Sequence, residues 1–311
     1  MMNLLAEGAI PLDAERLPVM SNSWGVFAAV FTNSIVVAFI VAALVIWFAR
    51  RATRKMELVP TRASQNSFEA IIEALYDMLE GIVGRHMIAR AFPLLATLFL
   101  FILTANWFGL LPGVGTVGFG EGRGPLLSLH ELHAPLLRPA SADLNLTLAM
   151  ALFFMVYWAV WSFQELGVGG FLSHIFGSKG NVSGILKYVL AVIFFLVGVI
   201  EMVSIVFRPV SLSLRLFGNV FAGENLMHTM SSLGETLGLP VALAKVMDIL
   251  APVPFYFLEL LVGVVQALVF TLLCAVYIKL TTEHDESHAT HDEDHAQGNA
   301  AHPSAAAVPA H

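Results

Sequence analysis

The sequence predicts an all-α polytopic membrane protein. Of its 311 residues, 57% are hydrophobic and 13% are charged, whereas soluble domains carry about 25% charged residues. Several apolar stretches reach the roughly 20 residues that a helix needs to cross a bilayer. We expect three roughly perpendicular spans, one amphipathic surface helix, and two long, tilted and kinked helices that form a hairpin embedded in the membrane.

The first predicted span covers residues 24–49, which contain no charged residue. Basic residues follow it at once: Arg50, Arg51, Arg54, Lys55 and Arg62. The positive-inside rule therefore predicts that this end faces the cytoplasm and that residues 1–23 form an external segment. The N-terminus lacks the basic region of a signal peptide, so we do not expect one.

An amphipathic helix is predicted over residues 64–88, where apolar residues recur at spacings of three and four. It either docks on its own chain, which we favour, or binds the membrane surface. Residues 91–111 and 144–164 are the second and third predicted spans. The Gly- and Pro-rich loop 112–143 between them is expected to be irregular and external, and an inner loop is expected over 165–186.

Two over-long apolar segments follow, at residues 186–230 and 241–280. A helix of about 45 residues would be about 67 Å long, twice the thickness of a bilayer, so each must tilt, break or both. Pro209 and Pro252 mark the expected kinks. Two such helices joined by a short turn indicate an antiparallel hairpin.

The first long helix carries polar residues that a membrane segment normally avoids: Glu201, Arg208, Arg215, Glu224 and His228. A charge at the centre of a membrane helix costs about 2.5–3.5 kcal/mol. Arginine does not lose its proton in proteins, so Arg215 must face another protein, water or an anion. Glu201 lies close to four helical turns before Arg215, near the same face and about 21 Å away.

Helical spacing separates the remaining polar residues into two groups. Ser211, Arg215 and Asn219 are four apart and share one face. Glu224 lies about two and a half turns beyond Arg215 and points the other way, together with His228. One helix thus presents a fixed cation on one side and a titratable pair on the other.

The last helix supplies a second polar stripe, because Asp248, Glu259 and Gln266 are spaced by near-whole numbers of turns. In an antiparallel hairpin this stripe is expected to meet Glu224 and His228, with Gln266 near Arg215. Buried carboxylates and histidines are the usual elements of proton relays in membranes. The predicted ion pathway comprises Glu201, Glu224, His228, Asp248 and Glu259.

Three segments resemble subunit a of F-type ATP synthases: SLSLRLFGNVFAGE at 211–224, the final helix ending in AVYIKL, and residues 139–152. The resemblance implies an ion-translocating stator subunit with two half-channels. Arg215 would be the essential stator charge between them, and Ser211, Asn219 and Gln266 would position it or the passing rotor site. Glu224 and Glu259 match the half-channel pair.

One departure from the family pattern concerns this pair, because several relatives combine a carboxylate with a histidine where this chain has Glu224 and Glu259. Two neighbouring buried carboxylates do not ionise easily together. His228, one turn from Glu224, is the candidate for the missing imidazole. Glu201 resembles a third relay position that faces the opposite access.

The resemblance also implies partners and location. We expect a c-ring and peripheral-stalk b subunits, one copy of the chain per complex, and a bacterial inner membrane with the N-terminus outside. The coupling ion is expected to be a proton, with sodium left open. We expect no cofactor, no bound metal and no nucleic acid, and the sequence contains no GxxxxGK[ST] nucleotide loop.

The chain divides into the external segment 1–23, a membrane ion-translocating domain over 24–282, and a tail over 283–311. The tail is acidic and rich in His and Ala without apolar periodicity, which predicts a disordered cytoplasmic segment. Four of its histidines have helical spacing, so weak binding of a transition metal is the alternative to a simply solvated tail. They are His284, His288, His291 and His295.

Two other classes of membrane protein, a self-contained transporter and an enzyme, fit the sequence less well. A self-contained transporter often contains internal repeats with paired broken helices, and no convincing repeat is present. A membrane enzyme would need clustered metal ligands or a nucleophile beside a base, and nothing before the tail fits. The stator subunit is therefore the favoured interpretation.

Overall fold

The computed structural model describes residues 33–54, 63–111, 114, 118–120, 132–135, 138–176 and 185–300. Within this part of the chain, five helices are long and apolar enough to cross a membrane. The predicted external segment 1–23 and the first residues of the first predicted span lie outside the described residues. The chain is an integral membrane protein, as its composition predicts.

Eight helices are present in the described part of the chain: α1 (Asn33–Thr53), α2 (Ala63–Val83), α3 (Arg85–Gly109), α4 (Leu144–Phe176), α5 (Ile185–Ser231), α6 (Leu233–Thr236), α7 (Val241–Leu250) and α8 (Pro252–Ala300). The prediction of an all-α membrane fold is confirmed. The segment between α3 and α4 adds a short antiparallel ribbon of β1 (Gly118–Gly120) and β2 (Leu132–Pro135). A single 3₁₀ turn, Ala140–Ala142, precedes α4.

The predicted amphipathic helix ends earlier than expected. Gly84 has φ 85° and turns the chain between α2 and α3, a conformation that only glycine adopts without strain. Because α3 begins at Arg85, Pro93 lies inside that helix. The apolar face of α2, with Leu75 and Leu79, is buried in the main core, as expected for a helix docked on its own chain.

Part of the predicted inner loop is helical. The third span continues to Gly167, where φ 70° and ψ 163° interrupt the helix, and a further helical segment runs to Phe176. The prediction of a loop from residue 165 is wrong because helical geometry resumes after the glycine. α5 then begins at Ile185.

The two long helices form the hairpin that was predicted. α5 runs for 47 residues with Pro209 inside it, a length of about 70 Å. A helix this long cannot stand perpendicular in a hydrocarbon core of about 30 Å, so α5 must lie tilted or curved. The return arm is divided, because Ala251 separates α7 from α8.

The main core gathers buried residues from α2, α3, α4, α5 and α8. α5 contributes few of them, chiefly Leu212 and Leu216. Only 6% of the most apolar stretch of α5 is buried within the chain, against 44% in α3 and in the α7–α8 arm. α5 is thus the most apolar span and the least covered by its own chain.

The last helix extends well past the membrane segment, to Ala300. This differs from the disorder predicted for the tail from residue 283. Extending an existing helix adds one hydrogen bond per residue and avoids the cost of nucleation. The sequence contains no proline between Pro254 and Pro303, and residues 301–311 lie outside the described residues.

Candidate functional site

A cavity of about 400 Å³ lies between α3, α5, α8 and the segment around Pro139. Its walls are mostly apolar, with polar side chains on three elements. Such a combination is typical of a site that binds or passes a small polar species. The polar side chains include Asn106, Asn219, Glu224, His228, Glu259 and Gln266.

Glu224 forms an ion pair with Arg138, whose Nε lies 3.6 Å from Glu224 Oε2. The two side chains are only 1% and 15% exposed, respectively. Arg138 stands just before the 3₁₀ turn, in the segment that was predicted to be an external loop. Sequence reasoning missed it, and the available signal was its position directly before the family-like segment at residue 139.

Glu259 enters the cavity from α8, opposite Gly223 on α5. A Cβ atom placed on Gly223 would overlap the Glu259 carboxyl group, so a larger residue there would displace the end of that side chain. The structure gives Glu259 no ion pair and no side-chain hydrogen bond with another described residue. The two carboxylates of the cavity therefore have different surroundings.

An amide pair joins α5 and α8 farther along the cavity. Asn219 Nδ2 donates to Gln266 Oε1 at 2.5 Å. Gln266 is 4% exposed, and its Nε2 has no hydrogen-bond partner among the described residues. Because Asn219 lies one turn from Arg215, the pair connects the cavity to the face that carries the fixed cation.

Asn106 holds the outer wall of the cavity together. Its Nδ2 donates to the Gly263 carbonyl at 3.2 Å, and Ser141 Oγ donates to its Oδ1 at 2.8 Å. One buried amide thus links α3, α8 and the 3₁₀ turn. Asp143 accepts from the Asn145 backbone N–H at 2.9 Å, as an N-cap of α4 does.

Arg215 lies on the opposite face of α5 and is exposed. Ser211 and Asn219 are exposed with it, as their spacing predicts. Arg215 has no hydrogen bond or ion pair with any other residue in the described ranges. A guanidinium on an exposed apolar helix surface needs water or a partner from another molecule.

The family model described as ATP synthase A chain matches residues 32–279 of this sequence. The chain belongs to the ATP synthase A chain family. Its role is therefore that of a membrane subunit in ATP synthase, in a complex with other subunits.

Relatives named ATP synthase subunit a align over most of their length. The protein of Protochlamydia amoebophila is 32% identical over 269 residues, covering 84% of this chain and 83% of the relative. That of Moorella thermoacetica is 33% identical over 227 residues, covering 73% and 80%. That of Gloeobacter violaceus is 31% identical over 261 residues, covering 84% and 88%.

The structure brings together most of the residues that the family resemblance singled out. Glu224, His228, Glu259 and Gln266 line one cavity, and His228 lies on α5 one turn from Glu224. Glu201 is half-buried farther along α5 and does not line that cavity.

Asp248 lies on α7 and does not line the cavity. Its Oδ1 accepts from the Gly234 backbone N–H at 2.8 Å and closes the turn between the arms of the hairpin. Its assignment to the ion pathway stays a prediction.

Arg208 is also accounted for within the chain. Its Cζ lies 4.8 Å from the Tyr277 ring centroid and 5.7 Å from that of Trp158, within the range of cation–π attraction. Trp158 Nε1 in turn donates to the Tyr277 carbonyl at 2.9 Å. This contact ties α5 to α4 and α8, two turns before Arg215.

Proposed function

We propose that this chain is the ion-translocating stator subunit of an F-type ATP synthase. It would provide two half-channels and couple the flow of protons to rotation of a c-ring, and hence to ATP synthesis or hydrolysis. The single observation that carries the proposal is the exposed Arg215, set one turn from an amide pair that leads into a cavity containing two carboxylates.

The cavity is suited to be one half-channel. It contains Glu224, His228 and Glu259, groups that take up and release protons, and it is large enough to hold water. Its lining includes Leu111 and Val114, which lie at the start of the loop predicted to be external. Protons would reach the rotor from that side of the membrane.

Arg215 suits the role of the fixed stator charge. Its guanidinium stays protonated, and in lipid it would cost about 2.5–3.5 kcal/mol without a counter-charge. A rotor carboxylate that loses its proton on approach would supply that counter-charge. A fixed cation also repels a proton that attempts to pass directly between half-channels, so rotation becomes the only route.

The amide pair would position the passing rotor site. Asn219 holds Gln266 between the cavity and the face of Arg215, and Ser211 continues that face on the other side. Glu201, half-buried farther along α5, would belong to the second half-channel with access from the opposite side.

The remaining parts of the proposal concern the assembly. The uncovered apolar face of α5 would be covered by the c-ring, and peripheral-stalk b subunits would hold the single copy of this chain in place. The membrane would be the bacterial inner membrane, with the N-terminus outside and the tail in the cytoplasm. Basic residues after the first span support this orientation.

The decisive experiment is Arg215→Ala in the assembled complex in inverted membrane vesicles. We expect ATP-driven proton pumping and ATP synthesis to be abolished while the complex still assembles. Arg85→Ala is the matched control, because Arg85 is an exposed arginine away from the cavity whose ion pair among the described residues is with Glu80, at 3.2 Å. Normal coupled pumping by the Arg215 variant would reject the proposal.

A further inference from the structure

We propose that the rings of Trp158 and Tyr277 hold Arg208 aside, so that a passing rotor carboxylate pairs with Arg215 and not with Arg208. This inference rests on the proposed function and deepens it, because it concerns which arginine of α5 the rotor meets. Trp158 and Tyr277 are positioning residues in this scheme, since they act on the rotor contact through Arg208.

Three charged residues of α5 recur at intervals of seven: Glu201, Arg208 and Arg215. Seven residues are nearly two whole turns, so each of these residues lies about 20° around the helix from the one before it and about 10 Å farther along its axis. The two arginines therefore belong to one stripe of α5. An unrestrained guanidinium at position 208 would lie between Glu201 and the fixed stator charge.

The structure gives the two arginines different surroundings. Arg208 is half-buried, and its Cζ lies 4.8 Å from the Tyr277 ring centroid and 5.7 Å from that of Trp158. Aromatic faces attract a guanidinium, and the attraction is stronger where water is excluded. Arg208 is thus held toward α4 and α8, whereas Arg215 is exposed and available to another subunit.

The two rings are themselves fixed by the core. Trp158 is 3% exposed, and its Nε1 donates to the Tyr277 carbonyl at 2.9 Å, which joins α4 to α8. The ring of Phe171 packs edge to face against that of Trp158, with the centroids 6.3 Å apart. Tyr277 packs against the main core. The aromatic pocket around Arg208 is therefore built into the fold.

A second unrestrained cation would compete for the rotor carboxylate. Charges in apolar surroundings attract each other over longer distances than charges in water, because little solvent screens them. An arginine side chain is also long, so its charge extends well away from its own backbone. A released Arg208 would attract a carboxylate held at Arg215, delay its departure and slow rotation.

The test is ATP-driven proton pumping by the assembled complex in inverted membrane vesicles, per copy of the chain retained in the membrane. We expect Tyr277→Leu to lower pumping about fivefold, because it removes the closer ring from Arg208. Tyr277→Phe keeps the ring and should pump within about twofold of wild type. Arg208→Gln removes the cation that the pocket holds and should also stay within about twofold.

The decisive variant combines the two changes. Arg208→Gln/Tyr277→Leu should recover to within about twofold of Arg208→Gln alone, because the competing cation is absent. Trp158→Phe is a milder second variant that keeps an aromatic residue in the core and weakens the contact with Arg208. We expect it to lower pumping about twofold and to be restored in the same way by Arg208→Gln.

Two kinds of result would overturn the inference. A double variant that stays as low as Tyr277→Leu would show that the ring acts through packing and not through Arg208. A large loss of pumping in Arg208→Gln alone would show that Arg208 itself takes part in coupling. Wild-type pumping in Tyr277→Leu would likewise reject the role given to the ring.

Tyr76 supplies the matched control. It is another half-buried tyrosine packed against the main core, with its ring 5.0 Å from that of Phe92. Adding Arg208→Gln to Tyr76→Leu should leave the pumping of that variant unchanged, and an equal rescue there would also overturn the inference. Normal pumping by Arg215→Ala would reject the proposed function, whereas a failed rescue at Tyr277 removes only the role given to the aromatic pocket.

Discussion

The two faces of α5 differ in whether their charged residue has an ionic partner within the described chain. On the inner face, Leu212 and Leu216 are buried, and Glu224 beyond them is paired with a buried arginine. On the outer face, Leu214 is 49% exposed and Arg215 is exposed with no ionic partner in the described part of the chain. Other parts of the chain cover the inner face and pair its charge, whereas the described residues do neither for the outer face.

Residues on the inner face therefore stabilise the fold, whereas residues on the outer face are free to contact another subunit. Substitutions on the inner face should lower the free energy of unfolding of the chain. Substitutions on the outer face should leave it nearly unchanged and act only when the complex is assembled. Arg208 is informative because it lies two turns from Arg215 on the same helix and is held between Trp158 and Tyr277.

The largest expected effect on stability is that of Leu216→Ala. Leu216 is fully buried against α8 and its neighbours, so truncation leaves a cavity and costs about 2–5 kcal/mol, at the lower end because lipid replaces water outside the fold. The measurement is unfolding in mixed micelles with increasing sodium dodecyl sulfate. Leu214→Ala on the outer face is the control and should change the free energy of unfolding by less than about 0.5 kcal/mol. Equal losses in the two variants would break the comparison.

Gly223→Ala tests the close approach of the two hairpin arms. The added methyl group would overlap the Glu259 carboxyl group, so the end of that flexible side chain must move, which offsets the gain of up to about 1 kcal/mol that alanine brings to a helix. Gly218→Ala, with open space around the new Cβ, should stabilise the helix by up to about 1 kcal/mol. The same micelle titration reports both, and a Gly223 variant as stable as the Gly218 variant would contradict the packing described here.

Asn106→Ala removes the buried amide that links three elements. We expect a loss of about 1 kcal/mol, because Ser141 Oγ and the Gly263 carbonyl both lose their partner. Thr104→Val is the control, since its hydroxyl donates only to the Leu100 carbonyl of its own helix at 2.7 Å. Thermal unfolding of the solubilised protein measures both losses. In any detergent, Asn106→Ala should destabilise the protein more than Thr104→Val does.

The smallest effect is expected for Arg208→Gln. It removes a cation–π contact at the edge of the core, which should cost about 0.5–1 kcal/mol. Arg215→Gln, with no contact to lose within the described chain, should leave the free energy of unfolding unchanged while it stops coupled pumping. An Arg215 variant that unfolds more easily than the Arg208 variant would show that the outer arginine is paired within the chain after all.

Sequence periodicity was sufficient for the parts of the site that lie on continuous helices. A period of 3.6 residues and an antiparallel hairpin together predict that Glu259 faces the region of Glu224 and that Gln266 lies near Arg215. In the structure Gln266 accepts a hydrogen bond from Asn219, one turn from Arg215. The same reasoning did not reveal that Asp248 closes the turn of the hairpin, because its hydrogen bond with the Gly234 backbone depends on the geometry of the turn and not on helical spacing.

Arg138 was missed for a different physical reason. Residues in a loop have no period, so nothing in the spacing tells a buried loop residue from an exposed one, and Gly and Pro around it favour an exposed position. Its burial depends on contacts distant in sequence, between Pro139 and Gly109 and between Ser141 and Asn106. Such tertiary contacts leave no local pattern in the sequence.

The bare outer side of α5 has a consequence for biogenesis. A newly inserted chain exposes a long apolar helix with an arginine in its middle. Lipid can cover the apolar residues but cannot solvate the arginine, and the described part of the chain gives the arginine no partner. Until the neighbouring subunits dock, we expect this exposed surface to make the chain more susceptible to proteolysis. The amount of this protein in a cell should therefore follow the supply of its neighbours and not its own rate of synthesis.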